Sequence, residues 1–336
     1  MGDAAGVHDP QARVPRDRRL TKRRILKDVG PLRFGEGHDT TFPYALALAT
    51  GAEYDWLMGS SGAAFTTTID EAGWDPLAAA PRDAETFARA ARAAGVRLDP
   101  EPPPYDEEMR ELIFNRAKEA IDAHLPPLVF GLGGAPEYGL IVGYDEEGPT
   151  FFARTFFDKG DDPRRAGWSE FESEDRGGVI FLDKTAPPDR PAALREGIDA
   201  ALAAGEASDG ALTSWAAALR DDTRWSDAKH AGSAAFADHA MRSVLVDKRR
   251  AAARYLRTAR GLLPNSPGAD LLRAAESYGY AADAAAKGGV GEFDGSVAMR
   301  FIDPGHRRAW AKNLETVREN DREAREALAS ARGGMR

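Results

Sequence analysis

The stretch GHDTTFPYALALATG, residues 37–51, decides how the first half of this chain is read. A polar knot, His38-Asp39-Thr40-Thr41, opens directly into a short apolar helix that stops at Gly51, a residue suited to the position just past a helix end. Asp39, Thr40 and Thr41 are each competent to cap that helix. Pro43 falls in the first turn, where its missing N–H is not needed. Capping alone requires fewer polar groups than this. A helix N-terminus also presents hydroxyls, a carboxylate and free N–H groups to any pocket beside it. The rest of the chain must decide between an active site, a former active site and a cap.

The 336 residues, 43% of them hydrophobic, suffice for two domains with a sizeable core. A net charge of −9 and a pI near 5.3 argue against nucleic acid and anionic membranes as partners. The sequence contains no apolar run long enough for a transmembrane helix. The first 28 residues are basic but lack the apolar core of a secretory signal. Absence of cysteine excludes disulfides, thiolate catalysis and Cys-based metal sites, and fits a cytoplasmic address. Glu36, His38 and Asp39, joined in space by Glu137, would supply only one imidazole, whereas a zinc or iron site wants two or a thiolate. No metal and no cofactor is expected.

Residues 1–23 read as a disordered basic arm, with Arg16, Arg18, Arg19, Lys22, Arg23 and the adjoining Arg24 as a solvated charge cluster. Residues 24–187 read as mixed α+β. RILKDV (24–29) is a first strand, 42–50 a helix, and AEYDWLMG (52–59) a second helical turn. Asp83 caps a helix to about Ala94, and Asp106 caps another with Met109, Ile113, Ala117 and Ile121 on one face. Strands follow at 127–132, 138–145, 150–157 and 178–184, the middle pair joined by Glu146-Glu147-Gly148-Pro149 as a hairpin. Helices before strands point to an antiparallel sheet rather than a doubly wound one. After TAPPDRP (185–191) the chain is Ala-rich, with helices near 190–204, 209–220, 228–262, 267–286 and 304–332 forming an all-α region, 188–336. Stripes Phe236-Ala240-Val244 and Trp310-Leu314-Val317 mark the inner faces of two of them.

Gly131, Gly133 and Gly134 follow a strand, but a strand comes next, so a phosphate would find no helix N-terminus; a tight crossover explains them. Thr40 or Thr41 as nucleophile would need an adjacent base. The aromatic residues Trp56, Phe65, Trp74, Phe151, Phe152, Phe156 and Phe157 are core by default. Glu137 and Tyr138 differ, because they stand at the beginning of a strand after a Gly-rich turn.

Three pieces of the chain together resemble the papain-like families of the bacteriocin-processing cysteine peptidases and the N-terminal domain of the butirosin-pathway acyltransferases. GHDTTFPYALALATG resembles the nucleophile helix, with Thr40 where Cys would stand. EYGLIVGYDEEG (137–148) resembles the strand that begins at the catalytic His, with Tyr138 near that position. FARTFFD (152–158) resembles the strand carrying the orienting residue, with Asp158 as its counterpart. YDWLMGSSGAAF (54–65) is similar to the segment after the nucleophile helix in uncharacterised bacterial relatives that also carry a helical C-terminal half. The resemblance implies a papain-like domain over about half the chain. The Cys and His are replaced, and the Gln that precedes the Cys in the peptidases has no counterpart, Gln11 being the only glutamine.

The expectation is therefore a catalytically altered papain-like protein. Its former cleft binds a small molecule or peptide through His38, Asp39, Thr40, Thr41, Trp56, Ser60, Ser61, Glu137, Tyr138 and Asp158. Two alternatives stand beside it. One is an acyltransferase or amide hydrolase with Glu137 or His38 as base. The other is an interaction protein acting through an exposed apolar face of the helical half.

Overall fold

Strand β4, Tyr138–Asp145, is buried along both faces over its six central residues, as its unbroken apolar run requires. In the computed structural model, which describes residues 22–72, 74–132, 136–148, 150–171 and 178–335, every other strand is arranged about it. One edge of β4 is shared by β3 (Leu128–Phe130) at its start and β1 (Arg23–Ile25) at its end; β5 (Thr150–Arg154) takes the other edge. With β2 (Val96–Glu101), β6 (Arg164–Ala166) and β7 (Val179–Lys184) they form one antiparallel sheet, ordered β2-β7-β3-β4-β5-β6 with β1 beside β4.

Strands β2 and β6 were not expected. Both are edge strands, where charged residues and Pro100 are tolerated because one row of backbone groups faces away from the sheet. Strand β5 stops at Arg154 rather than 157. Asp158 accepts from the backbone N–H and hydroxyl of Thr155 and folds the chain into a turn. Phe157 is thereby left outside the core, 54% exposed. The basic arm lies outside the described residues up to residue 21; Lys22 and Arg23 already hold to the sheet, Arg23 opposite Asp145. Gly133, Gly134 and Pro149 also lie outside the described residues.

Helix α1 (Thr41–Thr50) ends at Gly51 in the left-handed conformation, φ +74°. Helix α2 (Tyr54–Ser61) outruns its expected end at Gly59 by two residues. Helices α3 (Ala84–Ala94) and α4 (Glu107–Asp122) begin as the sequence indicates, Asp83 accepting from Thr86 N–H and Asp106 from Met109 N–H. The C-terminal region consists of α5 (Arg190–Ala203), α6 (Gly205–Arg220), α7 (Ala228–Ala259), α8 (Asn265–Ala286), α9 (Gly295–Ile302) and α10 (Pro304–Gly334). Helix α9, eight residues long, has no counterpart among the helices expected from the sequence. Among the described residues, no helix is long and apolar enough to cross a membrane.

The larger core runs without a break across residue 187. It joins Leu140, Phe151 and Val179 of the sheet to Leu194 and Ile198 of α5, Tyr255 of α7, Tyr278 of α8 and Leu328 of α10. Helix α2 lies between α5 and α7, and glycines set how closely they approach. A Cβ on Gly197 would stand 2.3 Å from the carbonyl oxygen of Gly59, which belongs to fixed backbone. Gly197→Ala is expected to push α5 off α2 and cost about 1–3 kcal/mol, the usual penalty of overpacking. Chemical denaturation of the two proteins measures it.

Helix α7 is the central element. From Leu245 to Arg249 every residue is buried, so the helix is covered on all sides there. The stripe expected along Phe236, Ala240 and Val244 is the less buried side, Phe236 being 53% exposed. The stripe expected on α10, Trp310, Leu314 and Val317, is fully buried.

Candidate functional site

Thr40 occupies the N-cap of α1 in extended conformation, yet its side chain makes no capping bond. The expected cap is thus absent: the N3 residue is Pro43, which has no N–H to offer, and the Thr40 hydroxyl is turned outward as a donor. Asp247 of α7 reaches the head of α1, and its Oδ2 accepts from Asp39 N–H (3.1 Å), Thr40 Oγ1 (3.1 Å) and the hydroxyl of Tyr54. Its Oδ1 is buried with no partner among the described residues. Burial pushes the Asp247 carboxyl up to about 7, with the nearby charge of Asp39 adding to the effect and the Tyr54 and Thr40 hydrogen bonds opposing it.

The next two residues of α7 hold two further segments. Successive helical residues point about 100° apart, so Asp247, Lys248 and Arg249 face three directions. Lys248 Nζ donates to the carbonyl of Ala79 at 2.6 Å, the last residue of a 3-10 turn, Pro76–Ala79. Burial, aided by the neighbouring Arg249 charge, lowers the Lys248 ammonium to about 7. Arg249 forms a two-pronged ion pair with Asp321 of α10 (2.8 and 2.6 Å) and donates to the carbonyl of Ala64 and the hydroxyl of Thr67. Three consecutive residues thus fix the head of α1, the 3-10 turn and the segment 64–67, and the first two of these border one opening.

That opening is a cleft of two adjoining cavities. The inner one, 390 Å³, is lined by Thr40, Thr41, Phe42, Phe87, Phe130 and Tyr138 among others. The outer one, 730 Å³, is walled by Phe34, Phe157, Phe236 and Phe293, with Asp39 and His239 also lining it. Leu77, Ala80, Pro136 and Glu137 belong to both. Thr41 sits between helix and sheet: its hydroxyl donates to Glu137 Oε2 at 2.7 Å and lies 3.4 Å from the backbone N of Tyr138. Burial raises the Glu137 carboxyl, while the Thr41 bond and the field of Arg82 draw it down. Tyr138 is pushed up to about 12, chiefly by burial. Asp39 is likewise raised by burial, against the bond it accepts from Gly35 N–H at 2.6 Å.

Asp39, Thr40, Thr41, Glu137 and Tyr138 therefore meet at the cleft. The other expected site residues do not. His38 stacks on Tyr44 with ring centroids 4.5 Å apart and, with Trp56, lines a further cavity of 410 Å³. Burial lowers its pKa, and it makes no hydrogen bond to either threonine. Ser60 and Ser61 are buried at the end of α2, Ser60 3.5 Å from the Tyr255 hydroxyl and Ser61 bonded to the carbonyl of Met58. Asp158 serves its own turn. Asp247, Phe34, Phe236, His239 and Phe293 were missed. The signal for Asp247 is the apolar run Val244-Leu245-Val246 passing straight into Asp-Lys-Arg-Arg with no helix-ending residue between them. Among the described residues, no group of three or more His, Cys, Asp or Glu side chains is placed to hold a metal ion.

No family model matches the chain, and no curated protein matches it. Fold and site define a mixed α/β protein, with one antiparallel sheet and a helical C-terminal region, that opens an aromatic and acidic cleft at a helix N-terminus.

Proposed function

We propose that this chain is a catalytically altered protein of the papain-like class that binds a small molecule or a peptide segment in the cleft at the head of α1. One observation carries the reading. Phe34, Phe157 and Phe236, 44%, 54% and 53% exposed, all border the same 730 Å³ cavity. Large apolar side chains gathered around a concavity mark a place where something binds. The papain-like part is supported by the contact of Thr41 with Glu137 and Tyr138, which joins a helix head to a strand start in the layout of those families. The absence of cysteine supports the altered chemistry and a reducing, cytoplasmic setting. The net charge of −9 supports a partner other than nucleic acid.

A ligand-observed NMR screen of small aromatic and aliphatic fragments tests the reading. Fragments that bind the native protein are expected to lose their signal with a Phe236→Ala, Glu137→Gln variant whose circular dichroism is unchanged. Equal binding to both proteins would sink the proposal. Thr40 is unsuitable for this purpose, because removing its hydroxyl takes a donor from buried Asp247.

The 2.7 Å bond from the Thr41 hydroxyl to Glu137 favours a second reading, acyl transfer from a threonine activated by a carboxylate beside a helix N-terminus. Incubation with an activated acyl ester would then add the acyl mass to Thr41, and the addition would vanish in Glu137→Gln. An unmodified Thr41 in the native protein excludes this reading and leaves the binding one.

A further inference from the structure

We propose that the outer cavity takes an organic cation with an apolar body, an ammonium head carried on an aromatic or aliphatic stem. This rests on the reading of the cleft as a binding site. Among the described residues no lysine or arginine lines that cavity, and Arg82, whose field draws the Glu137 carboxyl down, lines the adjoining one. The titratable groups that do are Glu36, Asp39, Glu137, Glu292 and His239. Among the described residues no salt bridge neutralises Asp39, Glu137 or Glu292; the hydrogen bonds recorded for Asp39 and Glu137 come from Gly35 N–H and the Thr41 hydroxyl, both neutral donors. Charge complementarity at this wall therefore asks for a positive ligand.

His239 lines the same cavity. It is 6% exposed, and its Nε2 lies 2.7 Å from the carbonyl oxygen of Gly291. A carbonyl only accepts, so Nε2 carries a proton, and in the neutral form of an imidazole so bonded Nδ1 is an acceptor. That Nδ1 is buried and has no partner among the described residues. An alkylammonium head has three N–H donors and no acceptor. It complements the acidic groups of Asp39, Glu137 and Glu292 that line the cavity, whereas a carboxylate or phosphate ligand would meet them as like charges.

The walls accommodate the rest of such a ligand. Phe34 and Phe157 meet edge to face at 5.7 Å, and Phe236 meets Phe293 in the same way at 5.4 Å. Aromatic faces attract a cation and cover an apolar stem equally well.

Isothermal titration of the full chain with three probes of one body, 4-phenylbutylamine, 4-phenylbutan-1-ol and 4-phenylbutanoate, tests this. The amine is expected to bind about tenfold or more tighter than the other two, the scale of one partly buried ion pair. Glu137→Gln is expected to remove most of that preference while leaving the alcohol unchanged, and Phe236→Ala to weaken all three. Added salt gives the same comparison without a variant, weakening the amine and not the alcohol. If the alcohol or carboxylate binds as tightly as the amine and Phe236→Ala still weakens it, the cation is wrong and the cleft reading stands. If none of the three binds at millimolar concentration, or Phe236→Ala changes nothing, both fall.

Discussion

Replacing Arg249 by methionine is expected to cost about 3–5 kcal/mol of folding stability, the scale of breaking a buried ion pair from one side. Both Arg249 and Asp321 are fully buried, so the variant leaves an uncompensated carboxylate beside α10. It also strips the guanidinium from the carbonyl of Ala64 and the hydroxyl of Thr67. The double variant Arg249→Met, Asp321→Leu is expected to recover part of the loss and not all of it. The orphaned charge is gone, but the Ala64 carbonyl still lacks a donor. Urea denaturation of the native protein and both variants measures this. A double variant no better than the single one would show that the ion pair itself contributes little.

Asp247→Asn is expected to change how stability depends on pH. The Asp247 carboxyl stands at about 7 in the folded protein against an ordinary 3.8. The native state therefore binds this proton more tightly than the unfolded chain does. Its contribution is fully present below the unfolded value and is lost as pH rises through about 7. Asparagine has no such proton, so the variant should gain on the native protein as pH climbs from about 4 to 8, by at most about 4 kcal/mol. Other groups titrate in both proteins and largely cancel in the difference, although Asp39, whose charge reaches Asp247, makes the step broader than that of a single site. Denaturation curves taken at several pH values give the difference directly. A flat difference would mean that Asp247 is ionised in the folded state throughout.

These two residues also mark where the sequence stops being readable. Helix caps at Asp83 and Asp106 and the end of α1 at Gly51 are local signals, and the structure has them where the residues indicate. The stripe on α10 is equally legible, since that helix buries one face. Helix α7 is not legible in the same way, because it is packed all round and carries Asp247, Lys248 and Arg249 inside. Buried charges are only stable beside partners, and these partners are remote: Thr40 stands 207 residues from Asp247, and Asp321 lies 72 from Arg249. Apart from the apolar run Val244-Leu245-Val246 just before them, nothing local distinguishes such residues from a solvated run. Thr41 meets Glu137 across 96 residues of chain, a pairing that no local pattern of residues indicates. The outer aromatic wall is no more legible. The strand expected to include Phe157 ends three residues earlier, at Arg154, and the helix face expected to bury Phe236 leaves it exposed.

The most direct measurement of the central claim is small-molecule retention. The purified full chain and the Phe236→Ala, Glu137→Gln variant are equilibrated with the same metabolite extract, passed over a desalting column and compared by mass spectrometry. If the cleft at the head of α1 is a ligand site, the native protein carries at least one compound that the folded variant loses, and that compound bears an amine. Identical retained compounds on the two proteins, or none on either at saturating extract, would contradict it.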